Sequence, residues 1–196
     1  MTPIKTALLA YGLSGKIFHA PFLATNEGFE LYAVLERNTQ KAKNDFPDVK
    51  SYVSLEELLV DDTIELVVVN TPNNTHFELA KQLSDLRYKG ILIVGSGNIV
   101  HNLRLVDFSN FDKDNYGYDW AIEARETINN YVLDGNFKPL FDYEKHSKAL
   151  QLAIPTPEHF LPLIYTLGLK DKKDQLHLFN DKLVAGSLSM TSVKIS

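Results

Sequence analysis

The run Ala10-Tyr11-Gly12-Leu13-Ser14-Gly15 stands where an apolar segment, Ile4 to Ala10, stops and a helix-forming stretch begins. Two glycines three residues apart at such a junction restrict the chain more than any other feature. The segment before them reads as a buried strand, and a helix is expected from about Gly15 to Phe22. Gly12 would let backbone approach a pyrophosphate, and Gly15 would let a helix pack closely on a strand. A helix start there turns N–H groups and the positive end of its dipole toward phosphate. Ala10 occupies the position where the first glycine of this pattern is expected. Glu36 follows at the end of a second strand, Phe29 to Leu35, placed at an exposed strand end to accept hydrogen bonds from an adenine-ribose diol. A carboxylate there favours NAD over NADP, and the neighbouring Arg37 works against that preference.

The alternation continues beyond the second strand. A polar helix is expected near Gln40 to Asp45, and Ser54-Leu55-Glu56-Glu57 has capping-box spacing, so a helix should begin just after Ser54. Ile64 to Val69 is the most strand-like run of this half, and apolar residues from Thr75 to about Tyr88 recur at helical spacing. Gly90 should end that helix, with Ile91 to Val94 as another buried strand. Strands alternating with helices predict βαβ units and a parallel sheet, hence an α/β chain with a Rossmann-like parallel sheet and flanking helices. After about residue 105 the pattern changes. Asp107 to Tyr118 reads as loop, Trp120 to Leu133 as a helix, Tyr143 to Leu152 as a short helix, and a further helix runs to Leu167. Strands are expected near Gln175 to Phe179 and Ser187 to Ile195.

Composition narrows the function classes. A net charge of -5 offers no basic excess for sequence-independent nucleic-acid binding. Without cysteine, neither disulfides nor thiolate metal sites are available. No run approaches the roughly 18 apolar residues of a membrane span, and the apolar start is too short for a signal peptide. The expectation is a cytoplasmic protein whose partners are small molecules rather than nucleic acid or membrane.

Residues 10–22, Ala10-Tyr11-Gly12-Leu13-Ser14-Gly15-Lys16-Ile17-Phe18-His19-Ala20-Pro21-Phe22, together with Val69-Asn70-Thr71-Pro72-Asn73-Asn74-Thr75-His76, resemble the Gfo/Idh/MocA oxidoreductases. The resemblance covers residues 1 to about 80. It implies cofactor contacts for Gly12, Ser14, Gly15, Glu36, Thr71, Pro72, Asn73 and His76, with NAD(P) as the cofactor and NAD favoured. In that family the next strand leads into a Glu-Lys-Pro turn whose lysine serves hydride transfer. Here Ile91 to Val94 leads into Gly95-Ser96-Gly97, with no lysine, and the family's large substrate-binding domain is absent. The reading therefore expects little or no dehydrogenase turnover.

From about residue 76 to 196 the resemblance is to another family. Gly90 to Leu103, Tyr118-Asp119-Trp120-Ala121, Pro155-Thr156-Pro157-Glu158-His159-Phe160-Leu161-Pro162-Leu163 and Gly186 to Ser192 are similar to class III extradiol dioxygenases of the 4,5-DOPA dioxygenase group. That resemblance implies an acid/base role for His101 beside a metal, Fe(II) or Zn(II), and a metal-ligand role for His159. His101, after a strand and a glycine turn, should project into a cleft. The family's remaining ligand histidines lie in an amino half this chain lacks. A single imidazole does not hold such a metal, for which three protein ligands are the usual minimum, so the site reads as incomplete.

The chain is thus read as two unrelated enzyme pieces, a dinucleotide-binding half at 1–80 and a dioxygenase-like α/β half at 81–196, packed as one unit. They join near His76 to Gln82, inside a helix both families can carry, so that the following strand completes the Rossmann-like sheet. The leading function is an oxidoreductase-derived chimera that binds NAD(P) with little or no turnover. The alternatives are a metal-dependent extradiol dioxygenase acting on a catechol, and a non-catalytic remnant that homo-oligomerises through exposed helices.

Overall fold

The computed structural model describes residues 2–70 and 83–196. They divide into two compact units, Met1–Ser96 and Gly97–Ser196.

The first unit is built on five strands: β1 (Ile4–Leu8), β2 (Phe29–Leu35), β3 (Lys50–Tyr52), β4 (Leu66–Val69) and β5 (Leu92–Gly95). All pairings are parallel and the strand order is β3-β2-β1-β4-β5. Alternating side chains divide between two layers, as the two-residue period of a strand requires. Ala7, Leu9, Ala33, Leu35, Val67 and Val69 pack on one face with Leu55, Leu58 and Ile64. Leu8, Val34, Leu66 and Val68 pack on the other with Ala20, Leu23 and Ala42. Burial on both faces in β4 and in the carboxyl-terminal parts of β1 and β2 explains their near-continuous apolar runs, whereas β5, expected as a buried strand, is largely exposed among the described residues, Leu92 by 62%. β5, which follows the proposed join, pairs with β4 from Leu66↔Leu92 to Val69↔Gly95 and completes the sheet.

The connections differ in detail from the sequence expectation. The predicted helix from Gly15 is a wide π-type turn over Gly15–His19 followed by an α-helix over Ala20–Thr25. Pro21 lacks an N–H and cannot continue the preceding ladder, so the helix restarts around it. The helix expected at 40–45 is confined to Ala42–Asp45. Ser54 caps the helix Leu55–Val60 as its sequence predicts, its hydroxyl oxygen accepting the Glu57 N–H at 3.2 Å. β3 escaped the sequence reading. The expected helix over residues 75–88 lies mostly outside the described residues, which resume with a tight turn, Ser84–Lys89, closed by Gly90.

The second unit packs around the helix Asp119–Leu133, whose Ala121, Ala124, Ile128 and Val132 are buried. The helices Lys148–Ala153 and Leu161–Gly168 contribute Leu150, Ala153 and Leu167 to the same core, where Phe160 is fully enclosed. Two antiparallel ribbons close the unit: β6 (Leu176–Phe179) with β9 (Ser192–Ile195), and β7 (Leu183–Val184) with β8 (Leu188–Ser189). No helix among the described residues is long and apolar enough to cross a membrane.

Candidate functional site

In a parallel sheet of this order, the path reverses between β1 and β4, and the crevice beyond their carboxyl ends is where such folds take ligands. The loop Ala10–Gly15 lies at that end of β1. Asn70, the residue after β4, grips it from across the crevice. Its carboxamide oxygen accepts the Ala10 N–H at 3.1 Å and its amide nitrogen donates to the Ala10 carbonyl at 2.9 Å. A Cβ on Gly15 would lie 2.4 Å from the Ala10 carbonyl oxygen and 2.9 Å from the Asn70 amide nitrogen. A side chain on Gly15 would therefore collide with the loop's own backbone and with Asn70, rather than with a helix packed on a strand. Among the described residues nothing lies within 4 Å of a Cβ position on Gly12. Ser14 stands at the start of the first turn, with its side chain making no capping bond.

A second contact ties the loop to the helix Ala42–Asp45. Asp45 accepts a hydrogen bond from the Tyr11 hydroxyl at 2.8 Å and pairs with Lys16 at 2.9 Å. Lys16 and then Tyr11 hold the Asp45 carboxyl below its ordinary range. Burial, reinforced by Asp45, holds the Tyr11 phenol above its own. Lys16 is thereby committed to Asp45. Desolvation lowers the pKa of His19, at the end of the same turn.

Glu36 departs from its expected setting. It is 7% exposed, not a free carboxylate at a strand end. One oxygen accepts from the Thr39 hydroxyl and the Lys41 N–H, the other from the Ala42 N–H, each at 3.0 Å. The turn after β2 wraps around the carboxylate and uses it to cap the helix Ala42–Asp45. Thr71, Pro72, Asn73 and His76 lie outside the described residues. Asn70, which the sequence reading passed over as a site residue, has a signal in hindsight: a carboxamide placed directly after four branched or apolar residues, Leu66-Val67-Val68-Val69, carries both a donor and an acceptor.

In the second unit, His101 and His159 come together with ring centroids 5.0 Å apart. His101 is 3% exposed and does not project into an open cleft. Its ring nitrogens lie 3.0 Å from the Asn98 carbonyl oxygen and 2.9 Å from that of Thr156. A neutral imidazole has one N–H and satisfies one carbonyl; the protonated ring would satisfy both. Burial nevertheless holds its pKa below the usual histidine range, with His159 adding to the effect against the two carbonyls. His159 is exposed, and its carbonyl oxygen accepts the Asn98 N–H at 2.6 Å. With both ring nitrogens of His101 directed at backbone, the donor set does not fit a metal centre. Among the described residues no three His, Asp or Glu side chains converge as metal ligands.

Comparison with known proteins finds two different families along the chain. Residues 4–88 match the model of the oxidoreductase family with an NAD-binding Rossmann fold, Gfo/Idh/MocA. An uncharacterized oxidoreductase of Schizosaccharomyces pombe is 51% identical over 87 residues, 42% of this chain and 24% of that protein. The scyllo-inositol 2-dehydrogenase (NADP(+)) of Bacillus subtilis is 41% identical over 75 residues, 38% of this chain and 21% of that protein. The carboxyl-terminal half is similar to the 4,5-DOPA dioxygenase extradiol of Escherichia coli, 40% identical over 127 residues, 63% of this chain and 45% of that protein. The shares matched to the dioxygenase and to the Schizosaccharomyces pombe protein, 63% and 42%, exceed the whole chain, so the two resemblances overlap. The chain spans less than half the length of each of these relatives. A crystal structure of an uncharacterized protein from Escherichia coli K12 shares the fold across 100% of this chain and 86% of its own, with a TM-score of 0.53 at 24% identity.

Proposed function

We propose that the first unit is a dinucleotide-binding module of oxidoreductase descent, and that the chain binds NAD(P) with little or no turnover. The observation that carries this reading is the crevice between β1 and β4, where the Gly12 loop is held open by Asn70 and Gly15. Gly12, Ser14 and Gly15 would line the pyrophosphate, with Glu36 beneath the ribose end. Thr71, Pro72, Asn73 and His76 complete the contact set by resemblance. The cofactor, when bound, supplies hydride chemistry; the chain's own residues bind and orient it. The name of the Bacillus subtilis relative includes NADP(+), which supports the cofactor class. Little turnover is proposed because Gly95-Ser96-Gly97 stands where the family carries its lysine.

A second reading, metal-dependent ring cleavage of a catechol, draws on the dioxygenase similarity and on the proximity of His101 and His159. The carbonyl partners of the His101 ring weigh against it.

Thermal unfolding with and without millimolar NADPH or NADH tests the proposal. Binding at 100 times the dissociation constant stabilises the folded state by about 2.7 kcal/mol, a shift of several degrees. An unchanged transition with both nucleotides contradicts the reading.

A further inference from the structure

We propose that the outer edge of β5 is a self-association surface, on which a second copy of this chain adds its own β5, antiparallel, about a two-fold axis at Ile93.

β5 closes the order β3-β2-β1-β4-β5, so among the described residues no strand lies beyond it. Leu92 is turned toward β4 and donates its N–H to the Glu65 carbonyl at 3.2 Å. Backbone direction alternates along a strand, so Ile93 carries its N–H and carbonyl on the outer edge. Side chains alternate as well. Ile91 and Ile93 pack partly buried against the layer that holds Leu83 and Leu86. Leu92 and Val94 stand level with Leu66 and Val68 of β4, on the other layer. Leu66 and Val68 are buried there, but Leu92 and Val94 are 62% and 36% exposed. β5 is thus open along its edge and on one face.

The two ends of the sheet differ in chemistry. β3, at the far edge, carries Lys50, whose ammonium pairs with Asp61 at 3.1 Å. Charged side chains on an edge strand oppose strand addition. Residues 90–96 have neither charge nor proline, so β5 has nothing to repel its own copy. A two-fold axis at Ile93 makes the strand complementary to itself. Ile93 exchanges both N–H···O bonds with Ile93 of the partner subunit. Leu92 then lies directly opposite Val94 of the partner subunit on the exposed face, and symmetry repeats that contact. A pairing this short falls below the roughly 1,200 Å² of a stable interface, so the dimer is reversible and depends on concentration.

Sedimentation equilibrium of the full chain over a concentration series tests the proposal. The mass should rise toward twice that of the monomer and go no further. Leu92→Lys, at an exposed position, should keep its unfolding transition and weaken the dimer by about tenfold or more. A register test uses the absence of native cysteine. Leu92→Cys and Val94→Cys chains, mixed under mild oxidation, should cross-link to each other faster than either does to itself. Directly opposed Cα atoms of such a pair lie about 4.5 Å apart, within reach of a disulfide. The cross-linking decides by itself if Leu92→Lys unfolds. A mass that stays monomeric at every concentration overturns the proposal, as does growth past the dimer. So does a dimer that a folded Leu92→Lys leaves equally tight, or cross-linking that favours like with like.

Discussion

The side chain of Asn70 holds both backbone polar groups of Ala10, accepting from its N–H at 3.1 Å and donating to its carbonyl at 2.9 Å across 60 positions of sequence. This pairing spans the ends of β1 and β4 and sets the width of the crevice in which a pyrophosphate would lie. It also supplies order at the position where a glycine is usual and this chain has Ala10. Asn70→Ala should cost about 1–2 kcal/mol of stability through two lost bonds. It should also weaken ligands that contain a pyrophosphate more than adenosine, which has none. Denaturant unfolding with parallel ADP and adenosine titrations checks both effects; equal weakening of the two ligands would deny Asn70 its positioning role.

The two loop glycines should respond in opposite ways. Gly15→Ala places a methyl group 2.4 Å from the Ala10 carbonyl oxygen, so backbone must move, at a cost of about 1–3 kcal/mol. Gly12→Ala meets nothing within 4 Å among the described residues and should leave the unfolding transition within about 0.5 kcal/mol of the parent. Its methyl group would stand in the ligand's space, so nucleotide binding should fall. Unfolding curves for the two variants, followed by NADPH titration of Gly12→Ala, separate packing from recognition.

Asp61 anchors the β2–β3 edge. It accepts from the Tyr52 hydroxyl at 2.6 Å, the Tyr32 hydroxyl at 2.9 Å and Lys50 at 3.1 Å. Burial opposes its ionisation, but bonds from Thr63, Tyr52 and Lys50 outweigh this and hold the carboxyl well below its usual range. A depressed folded-state pKa means stability that is present above the unfolded value of about 3.9 and is lost as pH falls below it. Asp61→Asn should therefore lower the melting temperature at pH 7, and the gap from the parent should narrow below about pH 4. A gap that stays constant down to pH 3 would remove the network's electrostatic role.

His101 and His159 are predicted to differ despite their contact. His101→Ala empties a buried position, removes the ring N–H that serves the Asn98 or the Thr156 carbonyl, and should cost about 2 kcal/mol or more. The exposed His159 ring should be replaceable by alanine within about 0.5 kcal/mol. Chemical denaturation of each variant, with Fe(II) and Zn(II) titrations alongside, distinguishes this from a shared metal. If both substitutions abolish tight metal binding, the carbonyl-bound view of His101 is wrong.

β1, β2 and β4 were legible because buried parallel strands announce themselves as apolar runs. β2 occupies Phe29–Leu35, the range its sequence predicts, and Ser54 caps its helix as the spacing requires. β3 was not legible: Lys50, Ser51 and Tyr52 form no apolar run and are strand only because they pair with Ala33, Val34 and Leu35. The wide turn at Gly15–His19 follows from Pro21, a residue whose effect on helix length is visible but whose local solution is not. At the site, sequence locates Gly12, Gly15 and Glu36 but not the direction in which Glu36 turns. That direction depends on donors at Thr39, Lys41 and Ala42, which exist only once the chain has bent around them. The partners of His101 are likewise backbone carbonyls, one of them 55 residues away, and no side-chain pattern records them.

Calorimetric titration of the chain with NADPH and NADH, repeated on Gly12→Val, tests the central claim most directly. The account predicts saturable binding at one site per chain for the parent protein. It predicts loss of that binding in the variant, with the unfolding transition retained. Absence of saturable binding by both nucleotides, or binding that Gly12→Val leaves unchanged, would contradict a dinucleotide site at this loop.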